Sequence, residues 1–262
     1  MVANSNGDER QLAVFVDLEN IAIGVREAKL HPLQIGKVLA RLVEKGKISV
    51  KKAYADWESF SQYKRPFHEC AIELIDIPRK KVSGKNSADI KMVVDALELS
   101  YSKGHIDTFV LVSGDSDFSP LVSKLRENNK DIIGMGVKNS SSDLLIENCD
   151  EFIFYDDLVR KRKRRRTKKS SVLESLSDEK LKAFALLVES ILALQRENKE
   201  IIWGSMVKQT MKRKQPTFSE EYHGYSTFSK LLESAAKHKL IKVHRDQRSG
   251  TYVIDELLEE EI

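Results

Sequence analysis

Cysteine is nearly absent: Cys70 and Cys149 are the only two in 262 residues, far apart and without CxxC or mixed Cys/His spacing near either. A disulfide frame or a structural zinc site is thereby excluded, and both thiols are expected as small core residues. No apolar run approaches the roughly 20 residues needed to cross a bilayer, so no membrane partner is expected. The opening, MVANSNGDERQ, is polar where a secretory leader needs a basic start and an apolar core. A cytoplasmic location, or a nuclear one in a eukaryotic cell, is the expectation. No glycine-rich phosphate loop or dinucleotide fingerprint follows the first apolar run, which argues against small-molecule transfer chemistry. What remains, 41% hydrophobic and 32% charged residues, is enough for two ordinary cores.

The formal charge of +4 is concentrated in one place. Nine cations and no acid fall within RKRKRRRTKK at 160 to 169, so without that run the chain is net negative. Such a block repels itself and buries nothing, which marks a boundary between domains. Five segments follow: a disordered start (1–10), a first domain (11–157), a basic linker (158–177), a second domain (178–255) and an acidic tail (256–262).

Before the linker, β-rich runs at 12–17, 48–55, 71–77, 107–113, 131–137 and 151–155 alternate with helical patterns such as SADIKMVVDALELSYSKG and DFSPLVSKLRENN. Strand followed by helix, repeated, predicts an α/β fold with a doubly wound, mainly parallel sheet. After the linker, helical stripes (Leu181, Phe184, Leu187, Val188, Ile191, Leu194; Phe228, Leu231, Leu232, Ala235) precede two β-rich runs around Ser249-Gly250. Three helices closed by a hairpin make a smaller winged-helix domain.

In a parallel sheet, ligands bind outside the carboxyl ends of the strands. Acids leave those ends here. The first strand finishes at Asp17 in VFVDLEN, the 107–113 strand runs into Ser113-Gly114-Asp115-Ser116-Asp117, and Asp89 opens a helix that carries Asp95 two turns on. Each has a plainer reading: Asp89 suits a helix start after the cap Ser87, and SGDSD is rich in turn formers. Asp17 is the hardest to dismiss, since an acid ending a buried strand has no evident turn to make. Clustered carboxylates repel one another, so a cation belongs among them, and an all-oxygen set without histidine points to Mg²⁺ or Mn²⁺. Haloacid-dehalogenase phosphatases need a nucleophile and an acid two residues apart after the first strand, and Asp17-Leu18-Glu19-Asn20 fits that pattern poorly.

VFVDLEN, GKNSADIKMVVDAL, TFVLVSGDSDFSPLV and SSDLLIENCDEFIFY, in that order, resemble the successive motifs of NYN domains, relatives of PIN nucleases. The resemblance covers residues 11 to 156. It implies a metal-dependent ribonuclease with Asp17, Asp89, Asp115 and Asp117 as the metal-binding, catalytic acids and Asp95 as a further acid of the pattern. Asn20 and Ser113 match its amide and small polar positions, and Asp143 completes the site from the other side. Arg79, Lys80, Lys81 and Lys85 precede the Asp89 helix and are expected to hold phosphates in the same crevice.

The stretch RKQPTFSEEYHGYSTFSKLL resembles LOTUS (OST-HTH) domains over residues 178 to 255, which implies RNA binding or docking to protein partners. Arg160, Lys161, Arg162, Lys163, Arg164, Arg165 and Arg166 in the linker are read as a phosphate grip. In the second domain, Lys208, Lys212, Arg213 and Lys214 supply cations, and Tyr222 and Tyr225 are expected to stack unpaired bases. Phe218, Phe228 and Trp203 read as packing. The rival to an enzyme that cuts RNA is a non-catalytic RNA-binding adaptor or protein-docking regulator.

Overall fold

The computed structural model describes residues 9–77, 87–159, 176–197 and 199–258. They form two compact units. The first runs β1 (Gln11–Asp17), α1 (Leu18–Glu27), α2 (Ile35–Lys45), β2 (Lys47–Ala55), α3 (Lys64–Glu69), β3 (Glu73–Asp76), α4 (Ser87–Ser102), β4 (Thr108–Val112), α5 (Ser119–Glu127), β5 (Asp131–Gly136), α6 (Asp143–Asn148), β6 (Glu151–Phe154) and α7 (Tyr155–Val159). All six strands pair in parallel, in the order β3-β2-β1-β4-β5-β6.

The near-continuous apolar runs of β1 and β4 are buried on both faces. Alternation divides them between two cores. Leu12, Val14, Val16, Val110 and Val112 face α1 and α2, with Ile21, Val25, Val38 and Leu42. Ala13, Phe15, Phe109 and Leu111 face α4 and α5, with Met92, Ala96, Leu121 and Leu125. On that second face Phe15 stacks on Phe109 at 5.9 Å and on Tyr54 at 6.4 Å, a row of rings across three strands. Cys149 packs in the same layer, where burial pushes its thiol up to about 11, and Cys70 packs in the other.

The second unit contains α8 (Asp178–Arg196), β7 (Ile202–Trp203), α9 (Gly204–Lys214), α10 (Phe228–Lys237), β8 (Ile241–Arg245) and β9 (Tyr252–Leu257). The antiparallel sheet order is β7-β9-β8. Phe184, Leu187 and Ile191 of α8 meet Val207 and Met211 of α9 and Leu231 and Leu232 of α10 in one core. In the β8–β9 turn, the Asp246 carboxylate accepts from the amides of Arg248 and Ser249, and Gly250 takes a φ of +69°.

Several expected boundaries shift. Arg10 belongs to the ordered unit, its carbonyl accepting from the Lys47 amide at 2.8 Å. Leu158 and Val159 pack against the first core from α7, inside the span expected as linker. Glu256 and Leu257 are in β9 rather than an acidic tail, with Glu256 paired to Lys242. α1 is a helix that the sequence patterns did not signal. The basic run and the cations Arg79, Lys80, Lys81 and Lys85 lie outside the described residues.

Candidate active site

The strand order reverses direction between β1 and β4, which makes their carboxyl ends the switch point where a doubly wound sheet opens a crevice. Val16 lies opposite Val112, so Asp17 and Ser113 emerge side by side from the two strands. Asp17 is only 6% exposed. One carboxylate oxygen accepts from the Asn20 amide at 3.2 Å, capping α1, and the other accepts from the Ser113 hydroxyl at 2.9 Å. An acid ending this strand therefore does have a local task, contrary to the expectation that it had none.

Ser113 and Asn20 tie the two strand ends together. Ser113 is fully buried, and its Oγ accepts from the Asp115 amide at 3.2 Å while it donates to Asp17. Asn20 Oδ1 accepts from the Gly114 amide at 2.9 Å. A Cβ on Gly114 would stand 2.6 Å from the Ser140 carbonyl oxygen, so only glycine lets the loop after β4 pass there. Asp115 then caps the short 3₁₀ turn Ser116–Phe118, accepting from the Asp117 amide at 3.0 Å. Both positions are thus held by hydrogen bonds to neighbours that set the direction of each acid.

Among the described residues, the acids feel one another's like charge. Burial pushes the Asp17 carboxyl up to about 7, against the lowering influence of its two hydrogen bonds and with help from the charges of Asp89 and Asp115. Asp89, in the first turn of α4, is raised by burial and by Asp115, Asp117 and Glu19. Among the described residues no cation is paired with Asp17, Asp89, Asp115 or Asp117. Nor do any three acidic or histidine groups among them stand close enough to hold a metal as they are. The fit to a divalent ion is one of donor chemistry: hard oxygen ligands in mutual repulsion, which a cation relieves.

Glu19 is a member of this group that the sequence reading used only against another enzyme class. It lies two residues beyond Asp17 in the first turn of α1, and its Oε1 accepts from the Asp56 amide at 3.2 Å. Asp143 is exposed in the first turn of α6, with no described bond to the other acids. Asp95 stands apart from these acids. Six residues turn a helix by about 240°, so it leaves α4 on another side from Asp89. There it is buried, bonded to Lys91 at 2.6 Å, to the Tyr54 hydroxyl at 2.8 Å and to Lys52 at 3.4 Å. Burial alone would raise its carboxyl, but these partners outweigh burial and hold it below the usual range. We propose a structural role for it.

In the second unit, two residues expected to bind RNA meet partners within the fold. Tyr225 is 7% exposed, packed beside Phe184 with its hydroxyl 3.2 Å from Ser234 Oγ, so it offers no face to a base. Lys214 is paired with Glu189, its amine 2.9 Å from Oε1. Tyr222 remains 74% exposed, Lys212 is exposed, and Arg213 bonds Thr210 Oγ1 at 3.0 Å. Tyr225→Ala should therefore cost about 3–5 kcal/mol of stability, while Tyr222→Ala should cost less than about 0.5 kcal/mol. Urea titrations of both full-length variants check this; equal midpoints would contradict the placement.

Residues 11–156 match the NYN domain family. Among solved structures, the chain is similar to a protein of unknown function from Vibrio parahaemolyticus RIMD 2210633, with 26% identity and a TM-score of 0.52, covering 59% of this chain and 98% of that one. The comparison with curated proteins gave no match. No described helix is long and apolar enough to cross a membrane.

Proposed function

Because the chain belongs to the NYN domain family, whose fold is nuclease-like and RNA-related, we propose that it is a metal-dependent ribonuclease. It hydrolyses RNA phosphodiester bonds at Asp17, Asp89, Asp115 and Asp117, with Mg²⁺ or Mn²⁺ as cofactor. The observation that carries this reading is Asp17: a buried carboxylate at the switch point, raised to about 7 and neighboured, among the described residues, by two further acids. Asp95, by contrast, is paired with two lysines among the described residues.

Asp17, Asp89 and Asp115 would hold the ion, with Asp117 alongside. When bound, it supplies Lewis-acid stabilisation of charge on the phosphodiester and an acidified water. Ser113 and Asn20 are positioning residues: the first fixes the rotamer of Asp17 and the start of the Asp115 loop, the second fixes that loop against α1. Cutting of an end-labelled RNA by the full chain in Mn²⁺, stopped by EDTA, tests the proposal. Absence of cutting in both Mn²⁺ and Mg²⁺ would refute it.

The second unit and the basic run are proposed to supply affinity, as a winged-helix module of LOTUS type that grips RNA with Lys212 and Tyr222. Replacing the nine cations of 160–169 by Ser and Gln should flatten the log–log salt dependence of RNA binding by several units, at about −0.7 per phosphate contact on single strands. Cleavage at saturating RNA should be unchanged. A filter-binding series from low to moderate salt reads the slope. An unaltered slope would remove the run from the RNA path and favour protein docking.

A further inference from the structure

On the face of the first unit's sheet that carries α1 and α2, a small pocket lies between α1 and the segment joining β2 to α3. Its volume is about 260 Å³. Ala22 and Val25 of α1, with Leu30 beyond them, form one wall, and Phe60 and Tyr63, whose rings stand 6.5 Å apart, form the other. None of Asp17, Asp89, Asp115 or Asp117 lines it, so the nuclease reading leaves it without a use. The only charged group among the described lining residues is Arg26. It is exposed, and its guanidinium has no ion-pair partner among the described residues. Tyr63 is 8% exposed, and its hydroxyl likewise has no hydrogen-bond partner among the described residues.

We propose that this pocket binds a small aromatic carboxylate, its ring among the apolar side chains of the two walls and its carboxylate bonded by Arg26 and Tyr63. Such binding is independent of whether the acids cut RNA. Size decides the body of the ligand. The volume falls just short of the range of about 300–1,000 Å³ typical of drug-sized ligands, so it has room for one ring with a short arm and none for a nucleotide. Charge decides the arm. With a free guanidinium and no acid in the lining, an anion is favoured over an amine, and the planar fork of arginine matches the two oxygens of a carboxylate. A buried tyrosine hydroxyl ordinarily finds a hydrogen-bond partner, and a carboxylate oxygen accepts from it. A neutral apolar side chain from a protein partner would fill the same walls but leave both polar groups unmatched.

The test follows the indole N–H signals of Trp57 and Trp203, the only two tryptophans, in the ¹⁵N-labelled full chain. Trp57 is buried behind the aromatic wall, its ring 5.7 Å from that of Phe67, which stands 6.3 Å from Tyr63. Trp203 belongs to the second unit. Phenylacetate should move the Trp57 signal and leave that of Trp203, with a Kd of about 1 mM, the scale for a ligand of roughly ten non-hydrogen atoms. Phenylacetamide keeps the ring and loses the charge, and should bind about two- to fivefold more weakly, the range for an exposed ion pair. Acetate, which has no ring, should leave Trp57 unmoved. Arg26→Gln alters an exposed side chain and should bring phenylacetate down to the level of phenylacetamide. Tyr63→Phe removes only an unpartnered hydroxyl, so it should weaken phenylacetate by about two- to tenfold without lowering the thermal midpoint. No movement of Trp57 by about 20 mM phenylacetate, far above that Kd, or an affinity unchanged in both variants, would overturn the site. Equal binding of phenylacetate and phenylacetamide by wild type would assign the pocket to a neutral side chain of a protein partner, and overturn it too. Acetate acting on Trp57 as strongly as phenylacetate would reduce the site to anion binding at Arg26, with the same result.

Discussion

Asp17→Asn is expected to make the metal-free protein more stable while it abolishes metal-dependent cutting. The ordinary carboxyl value is 3.8, and burial raises Asp17 to about 7 in the folded chain. The folded state thus binds the proton more tightly than the unfolded one. Its stabilising contribution is fully present below pH 3.8, declines as pH rises, and is lost above about 7. Such a rise corresponds to about 4 kcal/mol of penalty on the ionised form. Asparagine keeps the cap on α1 through its one acceptor oxygen and carries no charge, while its amide nitrogen turns the bond to Ser113 round and donates to Oγ where Asp17 accepts. Urea unfolding in EDTA should therefore show the variant more stable than wild type at pH 8, and the gap should close toward pH 4. Mn²⁺ should raise the wild-type midpoint by mass action and leave the variant unmoved. A variant less stable than wild type at pH 8 would mean that Asp17 serves only as a structural cap.

Asp115→Asn and Asp95→Asn should separate chemistry from structure although both remove one acid of the same motif pattern. Asp115→Asn retains the cap on Ser116–Phe118 and should fold normally. Its loss as a ligand should lower cleavage by more than about 100-fold, beyond the effect of losing a supporting contact to a metal ligand. Asp95→Asn instead breaks its charged bonds to Lys91 and Lys52 and should cost about 1.5–3 kcal/mol of stability. Its cleavage rate, measured well below the melting temperature, should stay within about threefold of wild type, since it adds no charge to the metal-facing group. A large rate loss in folded Asp95→Asn would place that acid back in the site.

The sequence made the acidic centre readable because acids at the ends of buried strands are conspicuous: VFVD and VLVSGD interrupt apolar runs at the point where a parallel sheet exposes its ligand edge. The six strands were legible for the same reason. α1 was not, because Asp17 ends β1 and caps α1 at once, leaving no glycine, proline or polar stretch between strand and helix. The surroundings of Asp95 were not legible because its neutralising partners are partly remote in sequence: Lys52 and Tyr54 reach it from β2, a pairing that no local pattern announces. Tyr225 sits in a polar run, EEYHGYST, that reads as exposed. Its burial depends on how α8 and α10 close over it, with Phe184 on one side and Ser234 on the other. The pocket beside α1 was equally silent, since Phe60 and Tyr63 reach it from beyond β2, and only the assembled elements bring them to Ala22 and Val25.

Anomalous scattering from a crystal of the full chain grown in Mn²⁺ tests most directly whether these acids form a metal centre. A peak bounded by carboxylate oxygens of Asp17, Asp89 and Asp115, lost in Asp115→Asn, is the predicted result. Saturating Mn²⁺ with no peak at the carboxyl ends of β1 and β4, or with its peaks only elsewhere on the surface, would contradict it.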